Sequence, residues 1–152
     1  MPRVTLAPMF APSPEQVRRF FCDAYARQRA GQPLQPMESL AAGWIAEHPH
    51  WQADLADADA AVARVYPAGS PGGNPFLHLS MHLSISEQCS IDQPRGIRQA
   101  VELLAYRRGD LHAAHHVVME CLGQMLADAQ ARGHPPDGAA YLAAVQRRAT
   151  QG

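Results

Sequence analysis

The sequence lacks several features that would assign it to a large class of proteins. It contains no C-x-x-C pair, which argues against a zinc ribbon or a thioredoxin-type site. No apolar run approaches the roughly 18 residues that a membrane-spanning helix requires. The net charge is only −1, so no basic surface is expected to attract nucleic acid or an anionic membrane. These absences predict a protein that binds neither nucleic acid nor membranes.

The cysteines and the N-terminus bear on the compartment in which the protein works. Cys22, Cys89 and Cys121 are odd in number and widely spaced. Residues 1–11 lack the long apolar core and the small-residue cleavage site of a secretory signal. Because disulfides are rare in the reducing cytosol, the sequence predicts free thiols and a cytoplasmic protein.

No catalytic motif with a known mechanism is present either. The chain has no G-x-S-x-G elbow and no dinucleotide fingerprint. The glycines of residues 66–74 are not followed by the Lys-Ser/Thr pair of a phosphate-binding loop. The sequence therefore names neither a substrate nor a reaction.

What the chain does contain is the composition and patterning of a helical domain. Of its 152 residues, 47% are hydrophobic and 18% are charged, which is typical of a globular protein. No segment alternates with period two over the length of a strand. We expect an all-α, single-domain bundle of about six helices with little or no sheet. It would cover residues 13–149 after a tail of residues 1–12, with a Pro/Gly-rich loop at 66–74 between its N-terminal and C-terminal helices.

Capping residues and prolines predict where these helices begin and end. Ser13 precedes the first helix, Asp110 precedes a long one, and Gly133 ends it. The predicted helices run from 14 to about 30, 37–47, 51–65, 75–91, 94–108, 111–132 and from 137 onward.

Histidines paired at helical spacing are the most informative feature. His78 and His82 are four residues apart, and so are His112 and His116. On a helix this spacing places two side chains about 6 Å apart on one face. Imidazoles so placed can bind one ion, with Zn–N distances of about 2.0–2.1 Å. The pattern predicts that these four histidines, from two helices, bind Zn or Fe.

The helical wheel places both pairs at or near buried faces. His78 and His82 share a stripe with Ile85, whereas Glu87 lies on the opposite side. On the later helix His112 and His116 flank a face centred on other side chains, and Glu120 follows one turn later. The residues expected at that buried centre are Leu111, His115, Met119, Leu122 and Leu126.

Three functions remain open on this evidence. The first is a metal-binding enzyme, a hydrolase or an oxygen-chemistry enzyme with a small-molecule substrate, in which Glu120 or Glu87 acts as general base. An H-E-x-x-H metalloprotease is disfavoured because the glutamate between the histidines is absent. The second is a non-catalytic interaction module, including a homo-oligomer, in which the histidines form a buried hydrogen-bond network. The third is haem binding through His82 or His116.

A further histidine pair lies in the N-terminal half. His48 and His50 flank Pro49, and Asp54 follows one turn later. This arrangement favours a surface loop that caps a helix over another metal ligand.

Three segments resemble a known family. NPFLHLSMHLSISEQ (residues 74–88), D-x-P-x-G (92–96) and GDLHAAHHVVMECL (109–122) are similar to an uncharacterised bacterial family, domain of unknown function 1841. The resemblance extends from about residue 20 to residue 148. It implies no activity, only matching positions, which are His78, His82, Glu87, Gln88, Asp110, His112 and His116.

The resemblance also bears on two uncertain residues. The family usually has an acidic residue where this chain has His115, and this departure puts His115 in doubt as a ligand. The match at Glu87 implies a role for this carboxylate despite its place on the wheel, as an acceptor for an imidazole N–H or through a local distortion of the helix.

Overall fold

The computed structural model describes residues 13–67 and 73–151. Within them the chain forms eight α-helices and one short 3₁₀ helix, and no strand is present. The all-α prediction is confirmed, with eight helices instead of about six. The predicted tail, residues 1–12, lies outside the described residues. So do residues 68–72 of the predicted loop. The structure therefore does not test the prediction that the tail is not a secretory signal.

The helices follow one another in short steps along the chain. Their bounds are α1 (Pro14–Arg29), α2 (Pro36–Ala46), the 3₁₀ helix (Pro49–Trp51), α3 (Gln52–Leu55), α4 (Ala58–Ala63), α5 (Pro75–Ile91), α6 (Ile97–Arg108), α7 (Leu111–Arg132) and α8 (Gly138–Thr150). The contacts divide the chain into two compact units, residues 1–80 and residues 81–152. The division falls inside α5 and not in the predicted loop, so this helix contributes to both units.

Most helices begin where their capping residues predict. The Ser13 hydroxyl accepts the backbone N–H of Gln16 at 3.1 Å, and the Asp110 carboxylate accepts that of Ala113 at 2.6 Å. Gly133 ends α7 with a φ of +67°, a conformation that suits glycine because it has no Cβ. Local side-chain chemistry therefore sets these ends.

The prediction of a single helix over residues 51–65 is wrong, because α3 and α4 are separate helices there. The Asp57 carboxylate accepts the backbone N–H groups of Asp59 and Ala60, so a new helix, α4, begins there. A short acidic side chain that bonds to nearby backbone competes with continuation of the preceding helix. As a result Val65, at the end of the predicted helix, is 81% exposed, whereas Ala61 is buried.

The helix predicted to begin at Pro94 begins instead at Ile97. The Asp92 carboxylate accepts the N–H groups of Gly96 and Arg98, each at 3.1 Å. These bonds hold a turn ahead of the helix, so the proline belongs to the turn.

The first unit packs its helices around a small apolar core. Helix α1 packs against α2 and α4. Phe21, Ile45 and Ala61, one from each of these helices, are at most 1% exposed.

The second unit buries a larger continuous cluster. Helices α6, α7 and α8 pack against one another. Leu104, Val118 and Val145, one from each, are at most 1% exposed, and Ile85 of α5 joins the same cluster.

The buried face of α7 is rotated from its predicted centre. Leu111 and Leu126 are 49% and 46% exposed, so their predicted burial is wrong. Ala114 and Val118 lie at the centre instead, because this face packs against both α6 and α8. The other three predicted residues, His115, Met119 and Leu122, are buried, as predicted.

Two further findings concern the described chain. The three cysteines are free thiols. Among the residues that the structure describes, no helix has both the length and the apolarity needed to cross a membrane.

Candidate metal centre

Helix α5 carries the first histidine pair. The Asn74 side chain caps its first turn by accepting the N–H groups of Phe76 at 2.9 Å and Leu77 at 3.3 Å. No proline or glycine follows within the helix to interrupt it. His78 and His82 therefore project one turn apart from a continuous helix. His78 is half-buried, and His82 is fully buried at 0% exposure.

The second unit brings His82 of α5 next to the pair on α7. The ring centroid of His82 lies 5.1 Å from that of His112 and 5.6 Å from that of His116. The His112 and His116 rings are 4.5 Å apart. Each of the three residues offers a ring nitrogen, and these nitrogens lie within 4.8 Å of one another. Three of the four predicted ligands thus form one cluster in this unit.

His115 lies beside the cluster as a hydrogen-bond partner. Its Nδ1 is 3.1 Å from Nδ1 of His82, and the two rings stack at 5.2 Å. Burial lowers the pKa of His115 to about 3, and the neighbouring His112 and His116 act in the same direction. His115 is therefore neutral at pH 7 and has a single ring N–H.

The cluster is graded from the interior to the surface. His82 and His115 are at most 1% exposed, His112 is half-buried, and His116 is exposed. Burial lowers the pKa of His116 and the His112 charge adds to this effect, whereas Asp110 opposes it. An unprotonated imidazole has a lone pair on one ring nitrogen, which is the form that binds a metal.

His48 of the first unit is buried, so its predicted place in a surface loop is wrong. Its Nδ1 is 2.7 Å from the carbonyl oxygen of Trp44. Because a carbonyl oxygen only accepts, Nδ1 donates, and in a neutral imidazole Nε2 then has the lone pair. The His48 ring stacks on Trp51 at 4.6 Å and meets the His78 ring edge-on at 5.0 Å. His50 is exposed.

The sequence contained a signal for His48 that the loop interpretation missed. Ala41, Trp44 and Ile45 form the buried face of α2. His48 continues their spacing of three and four residues beyond the end of that helix. Pro49 suggested that the pattern had ended with the helix, although the buried face continues as far as His48.

His48 and His78 resemble a ligand pair in their own right. Each offers a ring nitrogen, and these two nitrogens lie within 4.8 Å of each other. Metal-ligating histidines commonly donate their other ring N–H to a carbonyl or a carboxylate, as His48 does to Trp44.

The two candidate general bases lie at the surface. Glu87 is exposed on α5. Glu120 is exposed on α7, one turn after His116, and its Oε1 accepts from Nη1 of Arg148 at 2.8 Å. A catalytic role for either carboxylate stays a prediction.

The fold and the site together define an all-α protein with a histidine cluster between helices α5 and α7. The sequence model of the family described as Domain of unknown function (DUF1841) matches residues 13–147. The chain belongs to this family, as the resemblance implied, and the match treats nearly the whole chain as one domain. No curated protein and no solved structure matches the chain.

Proposed function

We propose that the protein binds one transition-metal ion, Zn or Fe, through His82, His112 and His116. His78, one turn before His82 on α5, is the fourth ligand that we propose. The observation that carries this proposal is the group of three ring nitrogens within 4.8 Å of one another. Zinc ligands in a tetrahedron lie about 3.3–3.5 Å apart, given bonds of about 2 Å. Binding an ion would therefore require the rings to turn so that these nitrogens move closer together.

The ligand chemistry supports the same assignment. Imidazole suits Zn and Fe, whereas Mg and Ca prefer oxygen ligands. Buried imidazoles also need hydrogen-bond or metal partners, because an unsatisfied buried polar group destabilises the fold. A shared ion would act in addition to the bond that His82 makes with His115.

The exposure of His116 favours an enzyme over a closed structural site. With four histidines as ligands, a water would have to bind as a fifth ligand, and a metal ion lowers the pKa of a water so bound to near 7. Solvent access at His116 would admit both water and a small-molecule substrate. Glu120, one turn further along α7, is the better-placed general base, because Glu87 lies on the opposite side of α5 from the histidine stripe. We propose a hydrolase or an oxygen-chemistry enzyme on this basis.

The test measures bound metal in protein purified without an affinity tag. Elemental analysis should find close to one equivalent of Zn or Fe. His82→Ala and His112→Ala should each lose most of it. His134→Ala is the matched control, because His134 is an exposed histidine whose ring contacts only its own loop at the Pro135 carbonyl in the contacts that we describe.

Two results together would overturn the proposal. One is a metal content below about one-tenth of an equivalent. The other is a melting temperature that does not rise when Zn or Fe is added, since a ligand that binds only the folded state must stabilise it.

A second function has support from one contact. The Nδ1 atoms of His82 and His115 satisfy each other without any ion. This bond fits a non-catalytic module in which the histidines form a structural network. If this function is correct, His82→Ala should strongly destabilise the protein. Added metal ions should then leave the melting temperatures of both the variant and the wild type unchanged.

A further inference from the structure

The bond between His82 and His115 allows two arrangements of one proton. Both partners use Nδ1, at a separation of 3.1 Å, so one Nδ1 donates and the other accepts. A neutral imidazole has one N–H and one lone pair. If His115 donates, His82 must have its own proton on Nε2. If His82 donates, its Nε2 has the lone pair. Only the second arrangement lets His82 bind an ion through Nε2.

We propose that His115 is a positioning residue for the metal ligand His82: its Nδ1 accepts the Nδ1–H of His82 and so leaves Nε2 of His82 unprotonated. The proposal rests on the proposed metal binding. It explains the position of His115, which is 1% exposed and is not one of the four proposed ligands.

The surroundings of His115 suit an acceptor. The residue is 1% exposed, so bulk water has little access to its ring. The stacked orientation of the two rings, at an interplanar angle of 26°, also restricts rotation of the His82 ring. A carboxylate or a carbonyl commonly plays this part for metal-bound histidines. A neutral imidazole does the same without placing a further charge in the core.

The two residues next to each other on α7 therefore have different roles. His116 faces the surface and is proposed to bind the ion directly. His115 faces the core and acts only through His82. Their different exposures make the two roles separable by mutation.

The experiment compares two substitutions of His115 in the full chain. His115→Leu removes the acceptor but keeps an apolar volume. His115→Asn keeps an acceptor, since its side-chain oxygen occupies nearly the place of Nδ1. Zn²⁺ titration should give a Kd about 10- to 100-fold weaker for His115→Leu and close to wild type for His115→Asn. His134→Leu is the control and should leave the Kd unchanged.

A spectroscopic measurement separates positioning from a general loss of structure. Nitrogen-15 NMR of the imidazoles in zinc-loaded wild type should show His82 with a proton on Nδ1 and none on Nε2. The same pattern should persist in His115→Asn. Should His115→Leu fail to fold, these two samples still decide the matter.

The possible failures are distinguishable. If wild type binds no zinc, the proposed function fails and this inference fails with it. If wild type binds zinc but His115→Leu binds it equally tightly, only the inference is overturned. A zinc-loaded wild type with the His82 proton on Nε2 would likewise contradict the inference while leaving the metal site in place.

Discussion

The two units satisfy their buried histidines by different means. In the first unit, His48 donates to the Trp44 carbonyl, an acceptor that cannot exchange roles. In the second unit, His82 and His115 meet through like atoms, and either could donate. A backbone carbonyl therefore determines a tautomer by itself, whereas a pair of imidazoles needs a further partner to do so. In the proposed site, the metal ion that His82 binds is that further partner.

The two units also differ in how their helices are built. The first contains α3 and α4, of four and six residues, separated by the Asp57 cap. The second contains α7, of 22 residues, in one continuous apolar cluster with α6 and α8. Short capped helices rely on local polar bonds, and long helices rely on shared burial.

The largest effect should come from a cavity in the second core. Leu104→Ala should lower the free energy of unfolding by about 3–5 kcal/mol, because its neighbours on three long helices cannot shift to fill the space. Leu55→Ala should remove nearer 2 kcal/mol, since the four-residue α3 can move more easily. Urea denaturation of both variants measures the difference. Equal losses would remove the contrast between the units.

The next effect is common to both units. Burial raises the pKa of Cys22, in the first unit, and that of Cys89, in the second, each to about 11 from an ordinary value of 9.0. The thiolate fraction at pH 8 is then roughly 100-fold below that of an ordinary thiol, since each pKa unit is tenfold. Iodoacetamide should label both cysteines slowly in the native protein and fast in urea.

The same shift has a sign for stability. Unfolded thiols ionise near pH 9, whereas the folded ones retain their protons up to about pH 11. The folded state therefore holds these protons more tightly than the unfolded state. The resulting contribution to the free energy of unfolding is complete below pH 9 and is lost as the pH rises from about 9 to about 11. A native labelling rate equal to that in urea would show that these thiols are not buried as described.

A smaller effect is expected from the carbonyl-bound histidine. His48→Leu should lower the free energy of unfolding by about 1 kcal/mol, the usual net value of one hydrogen bond. In this variant the Trp44 carbonyl oxygen still accepts the backbone N–H of Glu47 at 3.2 Å, so the carbonyl is not left without a hydrogen bond. His50→Leu, two residues away and exposed, is the control and should change stability by less than 0.5 kcal/mol or so. A loss of about 3 kcal/mol or more for His48→Leu would mean that this histidine does more than bond to Trp44.

The smallest effect should come from the surface of α7. Glu120→Gln removes the ion pair with Arg148, in which the glutamate side chain is 66% exposed. Exposed pairs contribute about 0.2–1 kcal/mol, and added salt weakens them further. Thermal unfolding at low and high salt measures this. If metal is bound, the same variant should lose far more activity than stability, as expected of a general base.

Much of the fold was predictable because its signals are local. Ser13, Asp110 and Gly133 act within one turn of their own positions, so their effects can be predicted from the residues next to them in the sequence. The break at Asp57 was missed although its cap is equally local, because the alanine-rich run around it also favours a helix. Competition between two local signals is decided by packing, which the sequence does not display.

The candidate site was predictable in part for the same reason. Helical spacing identified the His82 and His112/His116 group, whose contacts follow from one turn of each helix. The burial of His48 depends on an apolar face that continues past a helix end. The bond from His82 to His115 depends on the rotation of α7 about its axis, which apolar neighbours on other helices set. The spacing of the histidines alone predicts neither the burial of His48 nor the rotation of α7.

The continuity of α5 determines how the protein can be divided for study. The boundary between the units falls after Ser80, in the middle of a 17-residue helix. A fragment that ended there would leave the last four carbonyl groups of its half-helix, and the first four N–H groups of the other, without partners. It would also separate His78 from His82. Fragment complementation should therefore open the chain before Asn74, so that one piece retains the whole helix with its cap.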